Sequence, residues 1–297
     1  MAAGGSGSGG IGRRLSAARA WSAGLLLASA GLAPLAAAQT ESQVTLTRKD
    51  TTIVVTLKAE YANGARFIGN NPNCAKGVRQ TLLYGPAPGY VDTRVGKDTE
   101  LRSNVAIVSS PQAGTSESGA SGGANAAGST ASPSEQQTLE LFDGSITVSR
   151  AGCIDTQDRA TGPSVTLVQG RTTVKGTRFF LDQGKDTGSM DGPIELDRAA
   201  AGDSPALTAT ADSMTFDTQT RHSTLRGNVH VTSGDRVTSA STLELDEGAG
   251  LAVLTGSPAR STKGQDVLQG DTLRYYLNSN DVVVLGSVQG DIQLNSP

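Results

Sequence analysis

The sequence predicts an all-β fold, a solenoid-like stack of antiparallel strands, from three observations. Apolar and polar residues alternate in short runs, such as residues 146–148 and 229–231. Gly, Asp-Gly, Asn-Gly or Ser-Gly turn signals follow about every ten residues, as hairpin-rich folds require. Units of about 30 residues repeat within the chain, which indicates stacked supersecondary elements. Past residue 38, no segment of a dozen residues repeats apolar positions at helical spacing.

The first 38 residues have the features of a secretory signal peptide. Arg13, Arg14 and Arg19 precede an uncharged apolar stretch at 23–35, which is followed by three alanines at 36–38. This stretch is shorter than the roughly 20 residues that a membrane-spanning helix needs, and no later one is longer. We predict a signal peptide over residues 1–38, cleavage after Ala38 and a periplasmic location. No cysteine stands at the cleavage point, so we expect no lipid anchor.

Charge argues against nucleic acid as a partner. The whole chain has a net charge of −3, and residues 1–38 contain three basic and no acidic residues. The remainder therefore holds 22 basic against 28 acidic residues, a net charge of −6. A nucleic-acid-binding domain would instead carry a basic patch.

The two cysteines, Cys74 and Cys153, both follow the predicted leader. An exported protein meets an oxidising environment, so we predict that they form a disulfide. Without a nearby histidine they would make a poor metal site, and we expect neither a metal nor a cofactor.

A composition change divides the exported part. Residues 109–137 are almost entirely Gly, Ser, Ala, Thr, Pro, Gln and Glu, with no large apolar side chain to bury, and they predict a flexible insertion. Residues 39–108 form an N-terminal β region that continues at 138–173, where a hairpin candidate spans 139–148 around Asp143-Gly144. A β-repeat domain is predicted over 174–297.

The repeat has four units, which begin at Gly176, Ala211, Ala240 and Gly270. Positions three and five residues later are always large and apolar: Phe179, Met214, Leu243 and Leu273, then Leu181, Phe216, Leu245 and Tyr275. Fourteen residues after each start stand Met190, Leu225, Leu254 and Val284, and sixteen after it the glycines Gly192, Gly227, Gly256 and Gly286. Side chains two positions apart in a strand share a face. One face of the stack is therefore predicted to be continuously apolar.

Polar residues of the repeat are interpreted as structural. Asp182, Asp217 and Asp246 follow the first strand of three units, where aspartate favours turns, and no second acid stands at a fixed offset. His222 and His230 have no sequence neighbour that would orient a ring for catalysis, and His230 alternates with valines and should face solvent. We therefore predict no catalytic residue.

A weaker match to the repeat sequence lies N-terminal to the four units. Residues 101–105, Leu-Arg-Ser-Asn-Val, parallel residues 225–229, Leu-Arg-Gly-Asn-Val. We expect the N-terminal half to share the architecture.

The repeat region resembles the LptA/OstA-like family of periplasmic lipopolysaccharide-transport and organic solvent tolerance proteins. Four segments carry this resemblance: 211–217 (Ala-Asp-Ser-Met-Thr-Phe-Asp), 225–231 (Leu-Arg-Gly-Asn-Val-His-Val), 234–237 (Gly-Asp-Arg-Val) and 254–259 (Leu-Thr-Gly-Ser-Pro-Ala). It extends over about 174–290 and leaves the N-terminal half and the 109–137 insertion unaccounted for.

The resemblance implies an open, twisted β-jellyroll whose apolar groove shields the acyl chains of an amphiphilic lipid. It also implies edge-strand docking to an inner-membrane exporter and an outer-membrane inserter, and head-to-tail self-association. The predicted groove lining is Phe179, Leu181, Met214, Phe216, Leu225, Val229, Val231, Leu243, Leu245, Leu254, Leu273, Tyr275, Val284 and Val288.

Two alternatives remain at this stage. The same apolar residues would fill the closed core of a structural or surface β-solenoid that binds protein partners. A carbohydrate-active β-solenoid is disfavoured, because aromatic residues are 4% of the chain and Trp21 lies in the leader. Six basic residues would either meet lipid phosphates or form a solvated face: Arg221, Arg226, Arg236, Arg260, Lys263 and Arg274.

Overall fold

The computed structural model describes residues 42–48, 51–58, 78–111, 137–148, 154–202, 204–220, 222–278 and 281–291. These residues contain 20 strands and no helix, which confirms the predicted all-β class. The strands are β1 (Ser42–Arg48), β2 (Thr51–Lys58), β3 (Val78–Tyr84), β4 (Tyr90–Val95), β5 (Thr99–Ser103), β6 (Val105–Pro111), β7 (Thr138–Phe142), β8 (Ser145–Val148), β9 (Ile154–Gln157), β10 (Val165–Gln169), β11 (Thr172–Gly176), β12 (Arg178–Asp182), β13 (Thr187–Arg198), β14 (Leu207–Asp217), β15 (His222–Ser233), β16 (Arg236–Asp246), β17 (Leu251–Lys263), β18 (Asp266–Tyr276), β19 (Asp281–Leu285) and β20 (Gln289–Asp291).

Eighteen of these strands form one antiparallel sheet, and β8 and β9 pair separately. The sheet does not close into a barrel within the described ranges, because β1 and β3 end it on one side and β19 and β20 on the other. None of these ranges forms a helix that could traverse a lipid bilayer.

The long strands are bent near their middles, which divides the sheet into two layers. Strand pairing from β13 to β18 is interrupted at each interface by a bulge, for example between Arg226 and Val229. Layer A comprises β1, β2, β4, β5, β10, β11 and β20 with strand halves 194–198, 207–211, 229–233, 236–240, 259–263 and 266–270. Layer B comprises β3, β6, β7, β12 and β19 with halves 187–191, 213–217, 222–226, 242–246, 251–255 and 272–276.

A contact between distant parts of the strands shows that the two layers face each other. Leu268 of β18 pairs with Ser261, and Tyr275 stands seven residues farther along the same strand. In an unbent strand, Leu268 and Tyr275 would lie about 23 Å apart along the strand. The Tyr275 hydroxyl nevertheless lies 2.8 Å from Ser261 Oγ and also bonds Thr238. The bend therefore folds one half of β18 over the other half of β17.

The repeated glycines lie at these bends. Gly227 has a φ of +77° and is followed by Asn228, whose φ is +45°. The Asn228 amide donates to Asp212 Oδ2 at 2.9 Å. A Cβ on Gly227 would lie 2.2 Å from the same oxygen, so only glycine fits. The glycine column of the sequence thus marks the corner at which each unit passes from one layer to the other.

The N-terminal half shares the architecture, as expected. Asn104, the counterpart of Asn228 in the weaker sequence match, stands at the corner between β5 and β6. Its backbone N–H donates to Asp143 Oδ1 at 2.5 Å, and its amide exchanges two hydrogen bonds with the Gly144 backbone. The predicted 139–148 hairpin is wrong, because β7 pairs with β6 and β12 while β8 pairs with β9. Asp143-Gly144 is tied to a corner instead of closing a turn.

The structure describes the chain at only some of the predicted domain boundaries, and strands cross two of them. Strand β6 continues to Pro111, so residues 109–111 of the predicted insertion are strand, and β11 runs across the 173/174 domain boundary. Residues 1–38, residues 112–136, Cys74 and Cys153 lie outside the described residues. The signal peptide, the rest of the insertion and the disulfide stay predictions.

Apolar side chains form two clusters. The larger one fills the space between the layers from Leu46 to Leu277. The smaller one lies on the other face of layer B, where Leu82, Val105, Ile107 and Phe142 are covered by the β8–β9 hairpin through Ile146 and Ile154. The interior between the layers is therefore the place where a ligand site must be sought.

Candidate functional site

A continuous row of apolar side chains crosses layer B next to the corner. Each residue pairs directly with the next across neighbouring strands, and all but the last are at most 5% exposed. The row is Leu141, Phe179, Met190, Met214, Leu225, Leu243, Leu254, Leu273 and Val284. The apolar columns at offsets three and fourteen of the sequence repeat are thus cross-strand partners.

A second row crosses layer B farther from the bends and alternates large and small residues between Leu181 and Tyr275. It runs through Leu139, Leu181, Gly188, Phe216, Ser223, Leu245, Ala252, Tyr275 and Val282. The half-buried Phe216 ring lies over Gly188 and stacks on Phe179 with the ring centroids 5.4 Å apart. The small residues make room for the large side chains of adjacent strands.

The structure brings thirteen of the fourteen predicted lining residues to the interior. Eleven are buried, and Phe216 and Val284 are partly buried and pack on the cluster. Val288 is 58% exposed. It follows Gly286 and Ser287, which both have positive φ and break the alternation that the sequence suggested. Contact of the other thirteen with a lipid stays a prediction.

A cavity of about 160 Å³ opens between the free ends of the two layers. Layer B contributes Leu181, Met214 and Phe216 to its wall, and layer A contributes Val95 and Leu167. Its mouth is polar and includes residues 96–99 and 217–218. The interior is thus accessible beside Phe216.

The ends of the two layers that lie away from the bends face each other along one line. Outside the cavity, polar contacts along this line hold the two layers together. We call the line the seam: it runs between the turns at 96–98, 170–171, 199–202 and 204–206 on layer A and the turns at 218–220, 247–250 and 277–278 on layer B. Thr172 donates to Glu247 Oε1 at 2.5 Å, and Ser204 donates to the Leu277 carbonyl at 2.6 Å. Both bonds join residues more than 70 positions apart.

The row of layer A nearest the seam changes from apolar to polar along the sheet. It begins with Leu46, Ile53 and Val95 and later contains Thr172, Arg198, Leu207, Ser233 and Arg236. Arg198 is only 6% exposed. Sequence reasoning missed Arg198, although it continues the inward alternation of Ile194 and Leu196. Of the six basic candidates, Arg236 is half-buried, four are exposed and Arg221 lies outside the described residues.

The aspartates act as turn residues, as predicted. Asp217 Oδ1 accepts the backbone N–H of Gln219 at 2.8 Å and of Thr220 at 2.9 Å, and Asp246 Oδ1 accepts that of Ala249 at 2.8 Å. These donors lower the pKa of both carboxyls. His230 is exposed, as expected. His222 differs from the expectation that it lacks a partner, because its Nε2 lies 2.8 Å from Asp246 Oδ2 on the adjacent strand.

Comparisons with known proteins bear on the same region. Residues 154–281 match the family model described as LptA/(LptD N-terminal domain) LPS transport protein. No curated protein matches the chain. Among solved structures, LptH, the LptA homologous periplasmic component of the conserved lipopolysaccharide transport device from Pseudomonas aeruginosa, matches with 13% identity and a TM-score of 0.36. That match covers 41% of this chain and 95% of LptH. The family-model match confirms the resemblance of the repeat region to the LptA/OstA-like proteins: the segment 154–281 is similar to the LptA/LptD N-terminal domain of lipopolysaccharide-transport proteins.

Proposed function

We propose that this protein is a periplasmic carrier in envelope biogenesis that shelters the acyl chains of a lipopolysaccharide-like amphiphile between its two layers. The unbroken apolar row from Leu141 to Val284 carries this proposal, because it gives an extended chain one continuous apolar surface across nine strands. Burial of such a chain contributes about 0.8 kcal/mol per methylene. The match of residues 154–281 to the family model of lipopolysaccharide-transport proteins supports the transport role.

The cavity beside Phe216 is the proposed entrance. At about 160 Å³ it is close to the size that holds one benzene molecule, so a long acyl chain needs more room. The seam bonds at Thr172–Glu247 and Ser204–Leu277 are polar contacts at the border of the interior. Loading therefore requires the layers to separate along the seam, with the apolar rows then contacting the chain instead of each other.

Docking is proposed at the C-terminal end of the sheet. Among the described residues β19 pairs with no strand but β18, so it is an edge strand of the sheet. Val283 and Leu285 on this strand are 40% and 39% exposed, and the neighbouring Val288 is 58% exposed. An edge strand with exposed apolar residues is suited to pairing with another chain. An exporter, an inserter or a second copy would add its strand there.

A second candidate is a structural β-solenoid whose interior stays closed. The burial of eleven predicted lining residues favours this function. Under it, the apolar rows contribute stability only and the protein binds other proteins through its edges. The two candidates differ in whether an amphiphile ever reaches Phe216.

The deciding experiment places a photoactivatable phenylalanine analogue at position 216, with the same analogue at Val237 as control. Val237 is 48% exposed and points away from the interior, because its neighbour Thr238 faces inward. Crosslinking in living cells followed by mass spectrometry should attach an amphiphile at position 216 and not at 237. Native mass spectrometry of the unmodified protein from its own envelope would identify the bound species. Absence of an adduct at 216, together with apo protein that takes up no added lipid, would establish the closed solenoid.

A further inference from the structure

Two arginines converge on one hydroxyl group at the seam. Arg198 Nη1 lies 3.1 Å and Arg171 Nη2 3.5 Å from Ser204 Oγ. That hydroxyl donates its proton to the Leu277 carbonyl on the opposite layer, so it can only accept from the guanidinium groups. Two cations therefore share a single neutral acceptor at the point where the layers meet.

Both guanidinium groups keep buried donors without a partner. Within the described part of the chain, Arg171 Nη1 and Arg198 Nε are buried and make no hydrogen bond. An unpaired donor on a buried charge is costly, so such groups usually face an anion. Burial lowers the pKa of Arg198 first, and the nearby charge of Arg171 lowers it further.

One carboxylate of the protein partly balances these charges from across the seam. Glu247 lies on the β16–β17 turn of layer B. Its negative charge raises the pKa of Arg198, whereas the positive charge of Arg171 lowers it. Its Oε1 accepts from the Thr172 hydroxyl, and neither guanidinium donates a hydrogen bond to it among the described contacts. The pair of arginines keeps a net positive charge, and Arg198 lies beside the apolar side chains of Leu207 and Leu277.

We infer that Arg171 and Arg198 form an oxyanion site that anchors the phosphate or carboxylate of an amphiphile whose acyl chain lies between the layers. Guanidinium donors match both anions in geometry, and charge-assisted bonds of this kind are the strong ones. The site stands at the border between solvent and the apolar rows, where the polar end of such a molecule must be. In the unloaded protein the Glu247 carboxylate partly balances the charge of the two arginines, and it therefore competes with the anionic group of the ligand. This inference rests on the proposed carrier function and adds the chemistry of the headgroup.

The test measures binding of three probes to the full-length exported protein by titration calorimetry: dodecyl phosphate, dodecanol and inorganic phosphate. Arg171→Met and Arg198→Met should each weaken dodecyl phosphate binding about tenfold, the usual effect of losing a charged hydrogen bond. Both variants should bind dodecanol as the wild type does. Arg260→Met is the matched control, because Arg260 is exposed on the outer face of layer A.

Glu247→Gln gives a change of opposite sign, which misfolding cannot produce. Removal of the competing carboxylate should tighten dodecyl phosphate binding several-fold, whereas Glu244→Gln, on the exposed face of the preceding strand β16, should leave it unchanged. Equal dodecyl phosphate affinity in the wild type and both arginine variants would overturn the inference. Inorganic phosphate that binds as tightly as dodecyl phosphate would also overturn it, since the site would then hold a free ion. If neither dodecyl probe binds the wild type, the carrier function itself fails; if dodecanol binds and the phosphate adds nothing, only the anion site fails.

Discussion

The ring of Phe216 lies across the backbone of Gly188, so that a Cβ built on Gly188 would stand 1.9 Å from the ring Cζ atom. The two residues are direct cross-strand partners in the second apolar row. Phe216 also lines the cavity between the layers and stacks on Phe179. The missing side chain of one residue therefore fixes the position of the ring that borders the proposed entrance.

Substitution Gly188→Ala should displace that ring and destabilise the protein by about 1–3 kcal/mol, the usual cost of overpacking a filled core. Urea unfolding measures the change. Gly162→Ala is the control, because no atom lies within 4 Å of its added Cβ. The double variant Gly188→Ala/Phe216→Leu should recover part of the loss; a double variant less stable than Gly188→Ala would contradict the steric explanation.

Gly227→Ala should cost more than Gly234→Ala. Both glycines have positive φ, +77° and +58°, so each alanine pays about 1–2 kcal/mol for a left-handed backbone. Only the Cβ at Gly227 also meets Asp212, whereas no atom lies within 4 Å of the Cβ at Gly234. Thermal unfolding of both variants would reveal the difference. Equal losses would show that the corner is not sterically limited.

Leu254→Ala should leave a cavity in the first apolar row and cost about 2–5 kcal/mol. Leu254 is 1% exposed and pairs with Leu243 and Leu273. Val253→Ala, on the other face of the same strand, should cost less than about 1 kcal/mol. Chemical denaturation of both variants is the measurement, and a similar cost for the two would argue against a packed row at this position.

Asp217→Asn should reduce stability at neutral pH but not at low pH. Hydrogen bonds from Thr220 and Gln219 lower the pKa of the Asp217 carboxyl, so the folded state favours its ionised form. This stabilisation is fully present above the unfolded pKa of about 4 and is lost as pH falls through the lower folded pKa. The unfolding free energies of wild type and variant should therefore differ slightly at pH 7 and converge near pH 2. A difference that persists in acid would assign the effect to the side-chain replacement itself.

The double variant Val283→Lys/Leu285→Lys should abolish self-association through β19, because charged side chains on an edge strand oppose strand addition. Analytical ultracentrifugation across a concentration series tests this. Val168→Lys is the control, since Val168 is 39% exposed but lies on β10, which is paired on both sides. Oligomers that survive the double variant would place the interface elsewhere.

Sequence alone determined the strand class, the repeat, the apolar columns and the resemblance to the LptA/OstA-like proteins, because period-two alternation and glycine spacing are local properties. Phe179 and Met190 stand at offsets three and fourteen of the repeat, and the structure pairs them across neighbouring strands. The two apolar columns of the sequence therefore predicted the residues of the first apolar row. The same reasoning misread Asp143-Gly144, since a corner held by Asn104 and a hairpin turn have the same local composition.

Tertiary structure alone decided which residues meet across the interior. No sequence spacing relates Ser204 to Leu277 or Thr172 to Glu247, because those contacts arise from the bend that folds each strand over itself. Alternation could place Arg198 on the inner face, but only the pairing of β11 with β13 within layer A, where Thr172 stands opposite Arg198, puts its guanidinium beside that of Arg171. The local alternation of the sequence thus predicts the apolar interior, whereas the polar seam that borders it forms only through contacts between residues distant in the sequence.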